Sequence, residues 1–161
     1  MTVSKAAVPG SFDPMTLGHR DVVEQALDIF GSVTVIVANN VKKSYAFTPE
    51  QRVEIARAVC DGLSGVEVRY CDGIVVDLAR DIGASVLVKG IRNGEDLEYE
   101  MMIKRYNDSA CPEVKTVFVG ANDEYAELSS TKARLALEKG EDIEKYVGET
   151  AARLILSLRN K

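Results

Sequence analysis

Residues 9–19 hold the side chains of this chain that are best suited to chemistry on a phosphate group. They include two hydroxyl groups, one carboxylate and the only histidine of the sequence: Ser11, Thr16, Asp13 and His19. A short apolar run, residues 6–8, precedes the loop and predicts a strand, and a helical pattern starts at its end. A glycine-containing loop between a strand and a helix N-terminus directs backbone N–H groups at an anion. The segment therefore predicts a phosphate-binding loop.

The elements that must position this loop alternate along the chain. Apolar, β-branched runs predict strands at residues 3–8, 33–38, 66–70, 85–88 and 114–119. Apolar residues at helical spacing predict helices at residues 18–30, from Thr48 onward, and at 74–82, 95–108, 129–139 and 149–160. Strands that alternate with helices imply right-handed βαβ units. We therefore expect an α/β protein, one domain over residues 1–161, with a doubly wound, five-stranded parallel sheet.

The loops that follow the strands bring more polar residues to the edge of the predicted sheet where ligands bind. The second strand leads to Lys42 and Lys43, and the fourth leads to residues 89–92, which contain a lysine, a glycine and an arginine. The fifth leads to residues 122–131, which end in three consecutive hydroxyl side chains at a helix start. Cationic and hydroxyl groups on one rim of an acidic protein suit a ligand that carries several phosphates.

Taken one at a time, most of these residues have a structural explanation as good as a functional one. His19 at a helix start could be structural or solvated, and Lys42–Lys43 could be a solvated loop. Ser129–Ser130 could only cap a helix, and the Phe12 ring could be part of the core. Glu100 alone is expected to be exposed or to pair with Lys104 one turn on. Lys89, a charge at the end of a buried strand, needs a partner.

Composition narrows the class of protein. The net charge of −5 argues against a general nucleic-acid binder. The apolar runs are too short for a membrane span, and no signal-peptide pattern is present, so a cytoplasmic protein is expected. Cys60, Cys71 and Cys111 lack a CxxC spacing and predict reduced thiols, and one histidine leaves little from which to build a zinc site. No dinucleotide, P-loop or nucleophile-elbow motif occurs.

Five motifs taken together closely resemble the bacterial phosphopantetheine adenylyltransferases, in the same order and with near-constant spacing. They are residues 10–14, 16–19, 89–92, 98–100 and 129–131. The second motif alone indicates only the nucleotidyltransferase superfamily, whereas the third and fourth together are more specific. The resemblance implies a Rossmann-like nucleotidyltransferase fold. It also implies transfer of the adenylyl group of ATP to 4'-phosphopantetheine, which yields dephospho-coenzyme A and pyrophosphate in the penultimate step of coenzyme A biosynthesis.

The resemblance also implies residue roles and properties of the enzyme. His19 would be catalytic, contacting the triphosphate and stabilising the transition state. The acceptor, 4'-phosphopantetheine, would be bound by Ser11, Lys43, Val75 and Lys89. ATP would be bound by Ser11, Phe12, His19, Gly90, Ile91, Arg92, Glu100, Tyr125, Ala126, Glu127, Leu128, Ser129, Ser130 and Thr131. The family is magnesium-dependent, homohexameric and inhibited by coenzyme A, and no residue is assigned as a metal ligand.

The chemistry of this reaction agrees with the residues present. The nucleophile is a phosphate monoester that is largely dianionic at neutral pH, so it needs no general base. What the protein must supply is in-line placement and neutralisation of charge at the α-phosphate, which a histidine donor and lysines can provide. Two alternatives stay open: transfer to another phosphorylated acceptor, such as nicotinate mononucleotide or glycerol phosphate, and a non-catalytic nucleotide sensor. The apolar residues of the 95–108 helix are spread widely enough to predict two packed faces, one of them a subunit contact.

Overall fold

A computed structural model describes residues 4–161, which contain one all-parallel sheet. Its strands are β1 (Lys5–Gly10), β2 (Val33–Ala38), β3 (Val66–Cys71), β4 (Ala84–Ile91) and β5 (Lys115–Gly120). Their order across the sheet is β3-β2-β1-β4-β5. The chain therefore builds outward from β1 to β3, returns to β4 on the other side of β1, and continues to β5. The predicted doubly wound α/β fold is confirmed.

Seven α-helices connect or follow the strands in the described part of the chain. They are α1 (Leu17–Phe30), α2 (Pro49–Val59), α3 (Val75–Asp81), α4 (Gly94–Ala110), α5 (Ser130–Glu138), α6 (Glu144–Val147) and α7 (Glu149–Arg159). A single 3-10 turn, Asp123–Tyr125, follows β5. The sequence did not predict this turn or α6, because elements of three or four residues are too short to show a periodicity. Within residues 4–161 we find no helix whose length and apolarity would let it span a bilayer.

Local sequence signals explain several element boundaries. The predicted capping box of α2 is present: the Thr48 hydroxyl accepts from the Gln51 N–H at 3.2 Å, and the Gln51 side chain accepts from the Thr48 N–H at 3.0 Å. Strand β4 is longer than predicted and includes residues 89–91, because each of them pairs with β5. The predicted first strand starts at Val3, which lies outside the described residues.

The core lies on both faces of the sheet. One buried cluster joins β1 and β2 to α1, α2 and α7, and a second joins the opposite face to α3.

The three cysteines are buried and none is bonded to another. Helix α4 differs from the other long helices because none of its residues is buried. The strand order reverses between β1 and β4, and doubly wound sheets bind ligands outside the carboxyl ends of the strands at such a reversal.

Candidate functional site

A cavity of about 360 Å³ opens at the carboxyl ends of β1 and β4, where the strand order reverses. The loop after β1 and the first turn of α1 form one wall. The end of β4 and the start of α4 form the floor, and the segment from Ala121 to Thr131 forms the opposite wall. This is the position at which doubly wound sheets bind their ligands.

Most of the predicted site residues line this cavity. They are Ser11, Phe12, His19, Lys89, Gly90, Arg92, Glu100, Tyr125, Leu128, Ser129, Ser130 and Thr131. Five predicted residues lie outside the lining: Lys43, Val75, Ile91, Ala126 and Glu127. Of these, Lys43 comes close, because its Nζ lies 3.5 Å from the Ser11 Oγ. Val75 starts α3 after β3, the strand at the far edge of the sheet from β4.

His19 is held by the first turn of its own helix. Thr16 is the N-cap of α1; its backbone N–H donates to the His19 Nδ1 at 2.9 Å, and its hydroxyl accepts from the His19 N–H at 3.4 Å. A ring nitrogen that accepts a backbone N–H carries no proton itself. The proton of the neutral ring is therefore on Nε2, which is free to donate to a phosphate oxygen.

The surroundings of His19 keep its ring uncharged. Burial, followed by the positive charges of Lys89 and Arg92, lowers the pKa of His19 from 6.5 to about 4. The Phe12 ring packs edge-on against the imidazole with 5.1 Å between ring centres. At neutral pH the site thus offers a neutral N–H donor beside two cations, which suits stabilisation of a phosphate and not removal of a proton.

Phe12 has an unusual backbone that places its ring over the loop. Its φ of 49° lies in the left-handed region, which non-glycine residues rarely adopt. A Cβ added at Gly10 would come within 2.8 Å of this ring, so Gly10 is required for the close approach. Phe12 is 3% exposed and belongs to the core, and it also lines the cavity.

Two cations of the cavity are paired with carboxylates of α4. The Lys89 Nζ lies 3.4 Å from the Glu100 Oε1, which confirms that Lys89 requires a partner. The expectation that Glu100 is exposed or pairs with Lys104 is wrong: its side chain is 16% exposed and faces β4, whereas Lys104 pairs with Asp108.

The second cation, Arg92, donates from its Nε to the Asp96 Oδ2 at 3.1 Å. Asp96 lies in the first turn of α4 and also lines the cavity, and the sequence analysis did not include it among the site residues. Its spacing of four residues from Arg92 is the one signal that could have indicated it. Both carboxylates hold their cations at the cavity lining and offset part of the positive charge there.

The opposite wall is attached to the rest of the protein at its two ends. At the start, the backbone N–H and the side-chain amide of Asn122 both donate to the buried carboxylate of Asp21. At the end, the Ser130 hydroxyl donates to the Pro14 carbonyl at 2.8 Å. Ser129 caps α5, as its position at a helix start predicts. Between these two ends, the wall approaches Gly18 of α1 closely: a Cβ added at Gly18 would be 3.4 Å from the Tyr125 carbonyl.

Comparison with known proteins agrees with this geometry. Residues 7–136 match the model of the cytidylyltransferase-like family. A phosphopantetheine adenylyltransferase from Finegoldia magna is 40% identical over 149 residues, covering 92% of each chain. One from Alkaliphilus metalliredigens is 38% identical over 141 residues, covering 88% of this chain and 90% of its own. One from a Nocardioides species is 39% identical over 157 residues, covering 94% of this chain and 98% of its own.

Two solved structures share the fold at low sequence identity. One was assigned as a nicotinate-nucleotide adenylyltransferase from Vibrio parahaemolyticus; it has a TM-score of 0.72 and 21% identity, with 97% of this chain and 93% of that chain covered. The other is a bifunctional NMN adenylyltransferase/ADP ribose pyrophosphatase from Francisella tularensis, complexed with AMP and a manganese ion. It has a TM-score of 0.72 and 14% identity, with 99% of this chain and 50% of that chain covered.

Proposed function

The chain belongs to the cytidylyltransferase-like family and, within it, to the phosphopantetheine adenylyltransferases, and on this premise we propose that it transfers the adenylyl group of ATP to 4'-phosphopantetheine. The products are dephospho-coenzyme A and pyrophosphate, in the penultimate step of coenzyme A biosynthesis. The observation that carries the proposal is the cavity at the β1–β4 edge, which brings His19, Lys89 and Arg92 together around a space of about 360 Å³.

The proposed step is an in-line displacement at the α-phosphorus of ATP. An oxygen of the acceptor phosphate forms the new P–O bond, and the bond to the pyrophosphate oxygen breaks. The acceptor arrives largely deprotonated, so the protein need not take a proton from it. His19 Nε2–H donates to the phosphate oxygens as negative charge shifts in the transition state, and its tautomer is set in advance by Thr16.

The two substrates would approach from opposite sides of the first loop. ATP would lie between that loop and residues 129–131, with its phosphates near Arg92 and the N-terminus of α5. The acceptor phosphate would lie toward Ser11 and Lys43, whose polar atoms are 3.5 Å apart. Positive charge on both sides would reduce the repulsion between two polyanions.

Magnesium belongs to the same proposal. Nowhere in residues 4–161 do three or more His, Cys, Asp or Glu side chains group closely enough to hold a metal ion. Mg²⁺ keeps several waters and commonly binds through substrate phosphates. The ion would therefore enter with ATP, held by phosphate oxygens, and would neutralise charge on the leaving pyrophosphate. The residues of this chain would contact the phosphates and not the ion.

A homohexamer and inhibition by coenzyme A complete the proposal. Helix α4 has no buried residue and exposes four large apolar side chains: Leu97, Tyr99, Met102 and Tyr106. Tyr99, Met102 and Tyr106 share one side of the helix, and exposed apolar surface of this kind is what a subunit interface would cover. Coenzyme A contains the 4'-phosphopantetheine group of the product, so it would compete for the acceptor site. We place the reaction in the cytoplasm, where ATP is available.

A pyrophosphate-release assay tests the proposed function. The purified protein is given ATP and Mg²⁺ with 4'-phosphopantetheine, nicotinate mononucleotide or glycerol phosphate in separate reactions. We expect release with 4'-phosphopantetheine and dephospho-coenzyme A as the product by mass spectrometry. Preference for another acceptor would contradict the proposed substrate. Tight ATP binding with no release from any acceptor would support a sensor instead.

A further inference from the structure

Arg52 on α2 is fully buried and connects two loops of the site. Its Nη1 donates to the carbonyl of Ser11 at 2.8 Å and to the carbonyl of Ala38 at 2.9 Å. Its Nη2 donates to the Asn39 side-chain oxygen at 3.2 Å. The side chain has no exposed surface. One guanidinium group therefore joins the loop after β1 to the end of β2, the strand that leads to Lys43.

The charge of Arg52 has no carboxylate partner. None of the ion pairs within residues 4–161 includes it, and its three hydrogen-bond acceptors are neutral. The Tyr45 ring lies 3.9 Å from the guanidinium carbon, and the buried Nε has no acceptor. A buried cation without a counterion is costly unless an anion binds nearby. This arrangement therefore favours an anionic ligand next to Ser11.

A second contact joins the same two loops. The Asp13 carboxylate accepts from the backbone N–H groups of Ala46 and Phe47 at 2.9 and 3.0 Å. Residues 9–16 and 39–47 are thus tied together at two points. The distance between the Ser11 and Lys43 side chains depends on these ties, because the Lys43 side chain is exposed and has no other hydrogen-bond partner among the described residues.

Arg20 shows what a structural arginine looks like in the same protein. Its Nη1 donates to the carbonyls of Val59 and Asp61 at 2.7 and 2.9 Å, which ties α1 to the end of α2. Its charge is paired with Glu24 at 2.9 Å, and, like Arg52, it does not line the cavity. Arg52 makes the same kind of hydrogen bonds but leaves its charge unpaired, at the loops that carry Ser11 and Lys43.

We propose that Arg52 is a positioning residue of the acceptor site, which fixes Ser11 relative to Lys43 and biases the site toward a phosphomonoester dianion. The inference rests on the proposed function for the identity of the acceptor. Lysine cannot replace this arginine, because an ammonium group cannot span two carbonyls and an amide in one plane. Arg52→Lys keeps the charge and removes the bridge, and Arg52→Met removes both.

Kinetics with each substrate varied in turn test the proposal, with Arg20→Lys as the matched control. For Arg52→Lys we expect kcat/KM for 4'-phosphopantetheine to fall by about tenfold or more, because hydrogen bonds to a charged donor are lost. The Kd for ATP should change by less than this, because Ser11 is one of many residues expected to bind ATP but one of few expected to bind the acceptor phosphate. Arg20→Lys should lower the melting temperature, but it should not lower kcat/KM for 4'-phosphopantetheine more than it weakens ATP binding. Equal losses for both substrates, or the same pattern in the control, would overturn the proposal.

Hydrogen–deuterium exchange gives a readout that does not depend on the reaction. Arg52→Lys should raise exchange in peptides that cover residues 9–16 and 39–47, and Arg20→Lys should not. Unchanged exchange in either loop would overturn the proposed coupling. If wild-type protein makes no dephospho-coenzyme A, the proposed function fails, and the exchange result still decides whether Arg52 couples the loops.

A double-mutant cycle separates positioning from general loss of stability. Arg52→Lys combined with Lys43→Ala should cost less than the sum of the two single effects on kcat/KM for the acceptor, because both act on one contact. Arg20→Lys combined with Lys43→Ala should be additive. Additivity in the Arg52 cycle would contradict the proposal. If Arg52→Met does not fold, the Arg52→Lys series carries the test alone.

Discussion

The two walls of the cavity differ in how firmly they are held. The first wall consists of residues 10–19. Phe12, Asp13 and Thr16 in it are buried, and its backbone carbonyls accept hydrogen bonds from Arg52 and Arg134 on distant helices. In the second wall, residues 121–131 are half-buried or exposed throughout and are attached near the two ends. The wall that holds His19 is therefore pre-arranged, whereas the other can adjust to its ligand.

This difference fits the separate demands of the two halves of the proposed reaction. Stabilising charge in a transition state requires donors that are already in place, because reorganising them would cost part of the gain. Enclosing a nucleotide requires a wall that can admit and release it, which calls for low local stability. The following predictions test whether rate depends on the first wall and ATP affinity on the second.

The largest effect is expected for His19→Ala in the first wall. Loss of a donor to the phosphate should lower kcat about 100- to 1000-fold, equivalent to about 2.7–4 kcal/mol of barrier, measured by steady-state pyrophosphate release. Gln51→Ala is the matched control, because it removes the corresponding capping-box side chain of α2 away from the cavity. A loss below about fivefold in kcat for His19→Ala would remove this residue from the mechanism.

A smaller effect, on ATP affinity, is expected for Asn122→Ala in the second wall. The change removes the amide that donates to the buried Asp21 carboxylate, so the anchor at the start of this wall weakens. We expect the KM for ATP to rise by about three- to tenfold with kcat within about threefold. Asn160→Ala, at an exposed helix end, is the control. A loss mainly in kcat would contradict the assignment of separate tasks to the walls.

The neutral state of the half-buried His19 ring should be visible in the pH dependence of stability. Its pKa is about 4 in the folded protein and near 6.5 when unfolded, so between these values the unfolded chain binds more protons. The contribution of the neutral ring to the free energy of unfolding is fully present above about pH 6.5, and it is lost as the pH falls toward 4.

The melting temperature of the wild-type protein should therefore fall further between pH 7 and pH 5 than that of His19→Gln. The extra fall should be about 2–4 °C for each kcal/mol by which protonation of His19 lowers the free energy of unfolding. The comparison with His19→Gln removes the contribution of the carboxylates, which both proteins share. Parallel pH profiles of the two proteins would show that the pKa of His19 is not lowered in the folded protein.

The smallest effect is expected for Glu127→Ala at the rim of the second wall. The Glu127 side chain is 89% exposed and pairs with Lys132, and solvent screens such an exposed pair so that it contributes little to stability. The KM for ATP should stay within about twofold and the melting temperature should hardly change. A large rise in KM would show that Glu127 contacts ATP, as the resemblance to the family implies, although it lies outside the cavity lining.

Periodicity and capping signals predicted most of the fold. The bounds of β2, Val33–Ala38, were predicted without error, since a run of β-branched residues covered on both faces has few alternatives. Helix α2 starts where the Thr48 cap and Pro49 require it. The end of β4 was missed because pairing with β5, and not local preference, extends it to Ile91.

The motifs predicted which loops form the site because they follow parallel strands, and the carboxyl ends of such strands meet at one edge. Partners across the site could not be predicted in the same way. Helical spacing allowed Glu100 to pair with Lys104, and only the packing of α4 against β4 directs it to Lys89. Arg52 reads in the sequence as an ordinary charged residue near a helix start, with no sign of its burial.

The sequence by itself determined the order of strands and helices, the position of the loop at residues 9–19 and the hydroxyl and cationic residues around it, because these depend on local spacing and on the general rule for doubly wound sheets. Only the tertiary structure decided that His19 is a neutral donor, that Arg52 joins two loops and that the two walls are held so differently. The reason is physical: burial and charge partners are set by residues far apart in the chain, and a local pattern does not contain them.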